Sequence, residues 1–259
     1  MSRRRGRVER YLAAMTVDVR PLECGWLTTD LGTMLSGHVG EFRLPVASFL
    51  VEHERGTLVF DTGMHPDLVH GSSRLGPIES MYDVDLGAGG LLGARLGECG
   101  VDPADVDRAV LSHLHFDHCG GLPEVPEARL VVQTAEWEAA QDPVMAELGV
   151  YHPPDFLTGQ EVELIDGSVD LFGDGSVVTV PTPGHTPGHQ SLLVEGRLLL
   201  VGDACYCQLA LDEDVLPPVV ADPAQQRAGF AWLRDQAAAG ITLVFSHDPV
   251  QWARLGPRL

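Results

Sequence analysis

The sequence contains no lysine: all 17 of its basic residues are arginine. Against them stand 37 Asp and Glu, giving a formal charge of −20 and a pI near 4.7. Positive charge is also unevenly placed. Five Arg fall in the first ten residues, where Glu9 is the only acid, so that stretch carries +4 and the other 249 residues, with twelve Arg and 36 acids, carry −24. A body that acidic repels phosphate backbones, which argues against a nucleic-acid enzyme. Residues 1–15 are expected to form a flexible basic arm. No run of 18 apolar residues occurs, so no membrane-spanning helix is expected. The basic start is not followed by a long apolar stretch, so a secretory signal is not expected either. Cysteine is sparse and odd in number, five in all. That fits a reducing, cytoplasmic setting better than a disulfide framework. Cys205-x-Cys207 lacks redox or zinc-pair spacing and reads as structural.

What is present is enough apolar material for a core, 44% of residues at a mean hydropathy of +0.04. One domain over residues 16–259 is expected. Strands are predicted at 16–24, then at 45–52 and 57–61 as a hairpin. The segment 63–90 is rich in Gly, Pro and Ser and reads as a loop, followed by a helix at 90–98 ending at Gly100. Further along, short apolar runs each end in a polar loop: 106–111, 130–133, 177–180, 198–201 and 241–245. The stretch 223–239 is an amphipathic helix with Pro223 at its start and Gly240 beyond its end. Strands mixed with helices along the whole chain predict an α/β or α+β layered fold. His and Asp residues cluster where those apolar runs end, the place where loops of such folds converge on a site.

The densest cluster is His113-Leu-His115-Phe-Asp117-His118, four candidate metal ligands in six residues. With 11 His in 259 residues, chance produces such a cluster in roughly one chain in a thousand. His113 and His115, two apart in an extended turn, can grip one cation, and Asp117 and His118 can turn toward a second. Imidazole with carboxylate suits Zn²⁺, and also Fe²⁺, Mn²⁺ or Co²⁺. Paired cations sit about 3.5–4 Å apart and activate a bridging water as hydroxide. Three single candidates follow downstream. They are His185 in Thr182-Pro-Gly-His185-Thr-Pro-Gly-His189, Asp203 in Val201-Gly-Asp203-Ala204, and His247 in Phe245-Ser-His247-Asp248.

In this order the motifs resemble those of the metallo-β-lactamase superfamily, over residues 16 to 250. The resemblance implies a four-layer αββα sandwich with a dinuclear metal site at one edge of the sheets. It implies two divalent ions, zinc in the first instance. His113, His115 and His185 would hold the first ion, Asp117, His118 and His247 the second, and Asp203 would bridge them. Asp61 in Phe60-Asp61-Thr62-Gly63 would orient a ligand imidazole. His189 would be structural.

Within the superfamily the departures narrow the choice. His115 stands where the flavin-linked di-iron branch has Glu. His118 and Asp203 stand where classical β-lactamases often differ. The basic surfaces of the glutathione-thioester and nucleic-acid branches are missing. The wording His113-Leu-His-Phe-Asp-His-Cys-Gly-Gly121, Thr182-to-Ser191 and Ser246-His-Asp248 is similar to that of the quorum-quenching N-acyl-homoserine lactonases. So is Tyr206, three residues after Asp203, which in that family polarises the lactone carbonyl. The resemblance implies hydrolysis of a small neutral lactone, with Asp117 carrying the proton from the bridging hydroxide to the leaving alkoxide. Pyridoxolactonases share much of the pattern, so another small lactone or ester is the alternative; a non-catalytic metal-binding domain is the remote one. For an acyl tail, Met34, Leu35, Val39, Phe116 and the 64–86 loop are the candidate apolar lining. No nucleic-acid or membrane partner is expected, and dimers are common among look-alikes.

Overall fold

The computed structural model describes residues 17–259. The expected basic arm, residues 1–15, lies outside the described residues. Strands β1 (Asp18–Asp30), β2 (Glu41–His53), β3 (Gly56–Phe60), β4 (Asp83–Asp85), β5 (Arg108–Val110), β6 (Arg129–Gln133) and β7 (Val162–Ile165) form one sheet, in the order β4-β1-β2-β3-β5-β6-β7. Strands β8 (Val177–Pro181), β9 (Gln190–Val194), β10 (Leu198–Leu200) and β11 (Thr242–Val244) form a second, in the order β11-β10-β9-β8. The helices in chain order are α1 (Leu31–Met34), α2 (Leu92–Glu98), α3 (Phe116–Cys119), α4 (Thr134–Ala140), α5 (Pro143–Glu147), α6 (Pro153–Phe156), α7 (Gln208–Glu213), α8 (Pro223–Ala238) and α9 (Pro249–Trp252).

The period of two along each strand sends alternate side chains into two different apolar layers. Phe49, Phe60, Val110, Val131, Leu192 and Leu200 pack between the sheets. Their neighbours Leu50, Val59, Ala109 and Leu130 face outward and are covered by Leu92 and Leu96 of α2 and Phe156 of α6. On the far side, Leu199 and Leu243 are covered by Phe230 and Leu233 of α8. The result is the expected αββα layering. Helix α8 starts where Asp222 accepts from the Ala224 and Gln225 amides, with Pro223 in its first turn. Both features supply what an N-terminus needs.

The first two strands are longer than the sequence suggests. They pair antiparallel from Asp18↔Glu52 to Asp30↔Glu41. Polar residues at the far ends (Thr28, Glu41, Arg43) hide the extension, because ladder hydrogen bonds and not burial hold it. Strands β7 and β9 were not anticipated at all. β7 is a short edge strand, and β9 begins inside the Gly-rich stretch that carries His185 and His189. The segment 63–90 is not an open loop. It holds two 3₁₀ turns, Pro66–His70 and Ser72–Met81, and then β4, which pairs with β1 through Thr28↔Asp83. All five cysteines are unpaired; Cys205 and Cys207 are buried and flank Tyr206. No helix among the described residues is long and apolar enough to cross a membrane.

Candidate metal centre

The seven candidate ligands converge where strands from both sheets end. β5 runs through Leu111 and Ser112 into His113 and His115, and α3 then carries Asp117 and His118. The turn after β8 carries His185, the turn after β10 carries Asp203, and the turn after β11 carries His247. They fall into two groups whose donor atoms lie within 4.8 Å of one another: His113, His115, His185 and Asp203, then Asp117, His118 and His247. These are the two sets that the family resemblance implies, with Asp203 in the first.

Asp203 stands between the groups. Its Oδ2 lies 3.4 Å from His185 Nε2 and 3.7 Å from His113 Nε2. Its Oδ1 lies 3.1 Å from His247 Nε2 and 3.4 Å from His118 Nε2. Asp117 Oδ2 closes the second group at 3.6 Å from His247 Nε2 and 3.7 Å from His118 Nε2.

The outer nitrogens decide what these rings can do. Asp61 accepts from the Ser112 amide at 2.7 Å, from the Ser112 hydroxyl at 2.8 Å and from His118 Nδ1 at 2.8 Å. Because the Ser112 proton goes to Asp61, the 2.9 Å contact between Ser112 Oγ and His113 Nδ1 has His113 donating. His247 Nδ1 donates to the Pro45 carbonyl at 2.9 Å. Three rings thus keep their protons on Nδ1 and turn Nε2 lone pairs inward. Yet His118 and His247 Nε2 are 3.3 Å apart, and His185 Nε2 is 3.2 Å from His113 Nε2 and 3.1 Å from His115 Nδ1. Imidazole nitrogens crowded this closely around one point favour a cation among them. The donor set therefore fits divalent metal ions. Asp61 does its part from a left-handed backbone, φ 60°, a conformation Asp tolerates because its side chain bonds locally.

Electrostatics agree. Burial lowers His113 and His185 well below the usual imidazole pKa and brings His115 down to about 4. Burial opposes charge on His118 and His247 too, but there Asp203 and Asp117 outweigh it and raise both. Asp203 is pulled well below the carboxylate range, against burial, by His118 and His247. A field that favours positive charge on these two buried imidazoles favours a divalent cation in the same place.

His189 has a different task. Its Nε2 accepts from the Asp203 amide at 2.8 Å. Its Nδ1 donates to Thr182 Oγ1 at 2.8 Å, 3.0 Å from Ser191 Oγ, which donates to the Val201 carbonyl at 2.8 Å. Both ring nitrogens are used, and burial takes its pKa down to about 3. It props the Asp203 turn as a neutral ring.

Above the ligands opens a cavity of about 480 Å³. His115 and His185 lie at its base, with Tyr206, Phe116, Tyr82 and Ile78 on its walls. The Tyr206 ring sits 5.6 Å from His185 and 5.7 Å from His247. Of the expected lining, Phe116 is in place and the 64–86 segment contributes Ile78, Met81 and Tyr82. Met34 and Leu35 do not line it; they are buried in the core, 4% and 1% exposed, while Val39 is 84% exposed. The cause is α1. Asp30 caps it through the Gly32 amide, and that turn directs Met34 inward and gives the cavity Gly32 and Thr33 instead.

Three residues of the site were not found from sequence. Glu136, in the first turn of α4, is fully buried. Its Oε1 accepts from the Leu114 amide at 3.0 Å and the Tyr151 hydroxyl at 3.1 Å, and its Oε2 accepts from the Gly188 amide at 3.1 Å. It ties the His113–His115 turn to the His185–His189 turn, and Tyr151 leans on His115 at 5.4 Å. Gly188 allows this approach, because any Cβ there would collide with the Glu136 backbone. The acid in a helix's first turn reads from sequence as a dipole partner, which masks the role. Tyr82 is the third.

Glu136→Gln tests the tie. The amide nitrogen would face the Gly188 N–H, leaving a buried donor unpaired at a cost of about 1–3 kcal/mol. A fall in Tm of roughly 3–10 °C is expected, with faster metal loss to a chelator. An unchanged Tm and unchanged metal retention would dismiss the tie.

A metallo-beta-lactamase superfamily model matches residues 42–246. The chain is 34% identical over 230 residues to the N-acyl homoserine lactonase AttM of Azorhizobium caulinodans, covering 85% of this chain and 88% of that protein. It is 35% identical over 235 residues to the AttM lactonase of Rhizobium radiobacter, with the same coverage. Among solved structures, an N-acyl homoserine lactone hydrolase with the product N-hexanoyl-L-homoserine bound at its catalytic metal centre superposes with a TM-score of 0.82. It is 27% identical, over 93% of this chain and 98% of that one.

Proposed function

This chain belongs to the metallo-beta-lactamase superfamily, and from that premise we propose that it hydrolyses the ring ester of N-acyl-L-homoserine lactones. One observation carries the reading beyond the relatives. A cavity with largely apolar walls opens on the candidate ligands His115 and His185, and the Tyr206 phenol on its wall has no hydrogen-bond partner among the described residues. A neutral lactone with an acyl tail needs that combination and needs no basic pocket. A second cavity of about 150 Å³ shares Phe116 and Ile78 with the first and is bordered by Leu68 and Leu75 and by the charged pair Arg74 and Asp155.

His113, His115 and His185, and Asp117, His118 and His247, together with Asp203, would hold two divalent ions, zinc in this reading, which would supply Lewis acidity and lower the pKa of bound water toward neutral. The remaining steps belong to side chains. The Tyr206 hydroxyl donates to the lactone carbonyl oxygen and holds it as negative charge develops there. Burial pushes this phenol well above its usual pKa, so it remains a protonated donor throughout. Water adds to the carbonyl carbon and its proton passes to Asp117. Asp117 returns a proton to the ring oxygen as the C–O bond breaks, leaving the open hydroxy acid. The product is an anion leaving a body of high negative charge, which favours release.

Proton release from N-hexanoyl-homoserine lactone on metal-loaded protein tests the reading. Fast opening, abolished by a chelator and restored by metal, is expected. Metal-replete protein that leaves this lactone intact would overturn the substrate assignment, and other small lactones would then be tried.

A further inference from the structure

Resting on that reading, we propose that Tyr82 is the second hydrogen-bond donor of the cavity, and that it receives the exocyclic amide carbonyl of the acyl-homoserine substrate. The amide distinguishes these substrates from plain lactones. Only three bonds separate its carbonyl carbon from the ring carbonyl carbon. A donor for it must therefore stand on the same cavity as Tyr206, a short way across.

Tyr82 meets that requirement. It lines the cavity that His115, His185 and Tyr206 also line. It arrives from the first sheet, ahead of β4, whereas Tyr206 arrives from the second, after β10. The two phenols therefore approach from opposite halves of the sandwich. The Tyr82 ring packs on Phe116 at 5.6 Å, and Phe116 directly precedes Asp117. Its hydroxyl has no partner among the described residues. Burial, with the charges of Asp117 and Asp203 adding to it, pushes its pKa up, so the phenol keeps its proton.

The segment is held firmly enough to aim it. Thr29 Oγ1 donates to the Met81 carbonyl at 2.8 Å, the Tyr82 amide donates to the Glu79 carbonyl at 3.4 Å, and Asp83 pairs with Thr28. Rigid support on both sides makes a donor effective, because little ordering remains to be done on binding.

Apart from the candidate ligands His115 and His185, the other polar side chains of the cavity are engaged. The Asp30 oxygens accept from the Gly32 and Gly40 amides. Thr29 has one hydroxyl proton, given to Met81, so its 3.3 Å contact with Thr33 Oγ1 uses the Thr33 proton. Tyr206 is assigned to the ring carbonyl. Tyr82 is what remains for the amide.

The test compares two substrates and two variants. N-hexanoyl-homoserine lactone carries the amide; α-hexyl-γ-butyrolactone keeps the ring and a tail without it. Tyr82→Phe preserves the ring on Phe116 and removes the hydroxyl alone. It should cut the kcat/KM preference for the amide-bearing lactone about 5- to 30-fold, mainly through KM, the range for one lost hydrogen bond to a carbonyl. Tyr206→Phe should instead lower kcat on both lactones, about 10- to 1000-fold, with the preference kept. Metal content and Tm are recorded for each protein. A Tyr82→Phe preference equal to that of the unaltered protein overturns the proposal, whether both activities stay the same or both fall together. Unaltered protein that opens only the amide-free lactone overturns the acyl-homoserine reading itself, and Tyr82 with it.

Discussion

Asp203→Asn should cost the protein about 10³-fold or more in kcat/KM and reduce bound metal from about two ions per chain to one or fewer. The substitution keeps the size and shape of the side chain and removes the one charge that both ligand groups face. Its two oxygens each serve a different group, within 3.1–3.7 Å of four imidazole nitrogens. An amide in that place presents an N–H₂ to one of the two groups, where a metal would have to bind.

The same substitution separates a metal role from a folding role. In metal-free protein Asn loses the charge that faces the His118 and His247 rings, so the metal-free Tm of each protein is the baseline from which the metal effect is read. What disappears is the stabilisation that ligand binding adds to the native state. The unaltered protein should therefore show a large rise in Tm on adding zinc, and Asp203→Asn a small one. Full metal content with full activity in the variant would remove Asp203 from the centre.

How far such a site can be read from sequence depends on how local each determinant is. His113, His115, Asp117 and His118 lie within six residues, so the sequence itself shows them together. His185, Asp203 and His247 are legible because each ends an apolar run, and strand ends are where open α/β folds gather their side chains. Residues whose role depends on packing are not legible. Met34 and Leu35 are apolar and near the right segment, but only the capped turn of α1 decides which way they point. Glu136 looks like an ordinary acid at a helix start. Tyr82 sits in a stretch with no clean period, and its importance arises from β1, through Thr28 and Thr29. The layering was legible in outline, because apolar runs alternate with helices. The lengths of β1 and β2, and the existence of β7 and β9, were not, because backbone pairing rather than side-chain pattern defines them.

Asp117→Asn should leave the metal content close to that of the unaltered protein while kcat falls about 10²- to 10⁴-fold, the range for losing a positioned proton carrier. Asp117 reaches the second group with Oδ2, 3.6 Å from His247 Nε2 and 3.7 Å from His118 Nε2. No donor among the described residues bonds its other oxygen. Its side chain is 11% exposed against 5% for Asp203, so it is the more open of the two carboxylates. Asp203 is enclosed and serves only to hold; Asp117 has a free face and can hold and carry. Asn keeps an oxygen for the ligand group but cannot accept the proton that water must lose, nor return one to the ring oxygen. KM should move little, since the substrate carbonyl is held by Tyr206 and the tail by apolar walls. Loss of metal in step with kcat would reduce Asp117 to a ligand. Activity unchanged at full metal content would mean that the proton travels by another route, and the open face of this carboxylate would then need a different explanation.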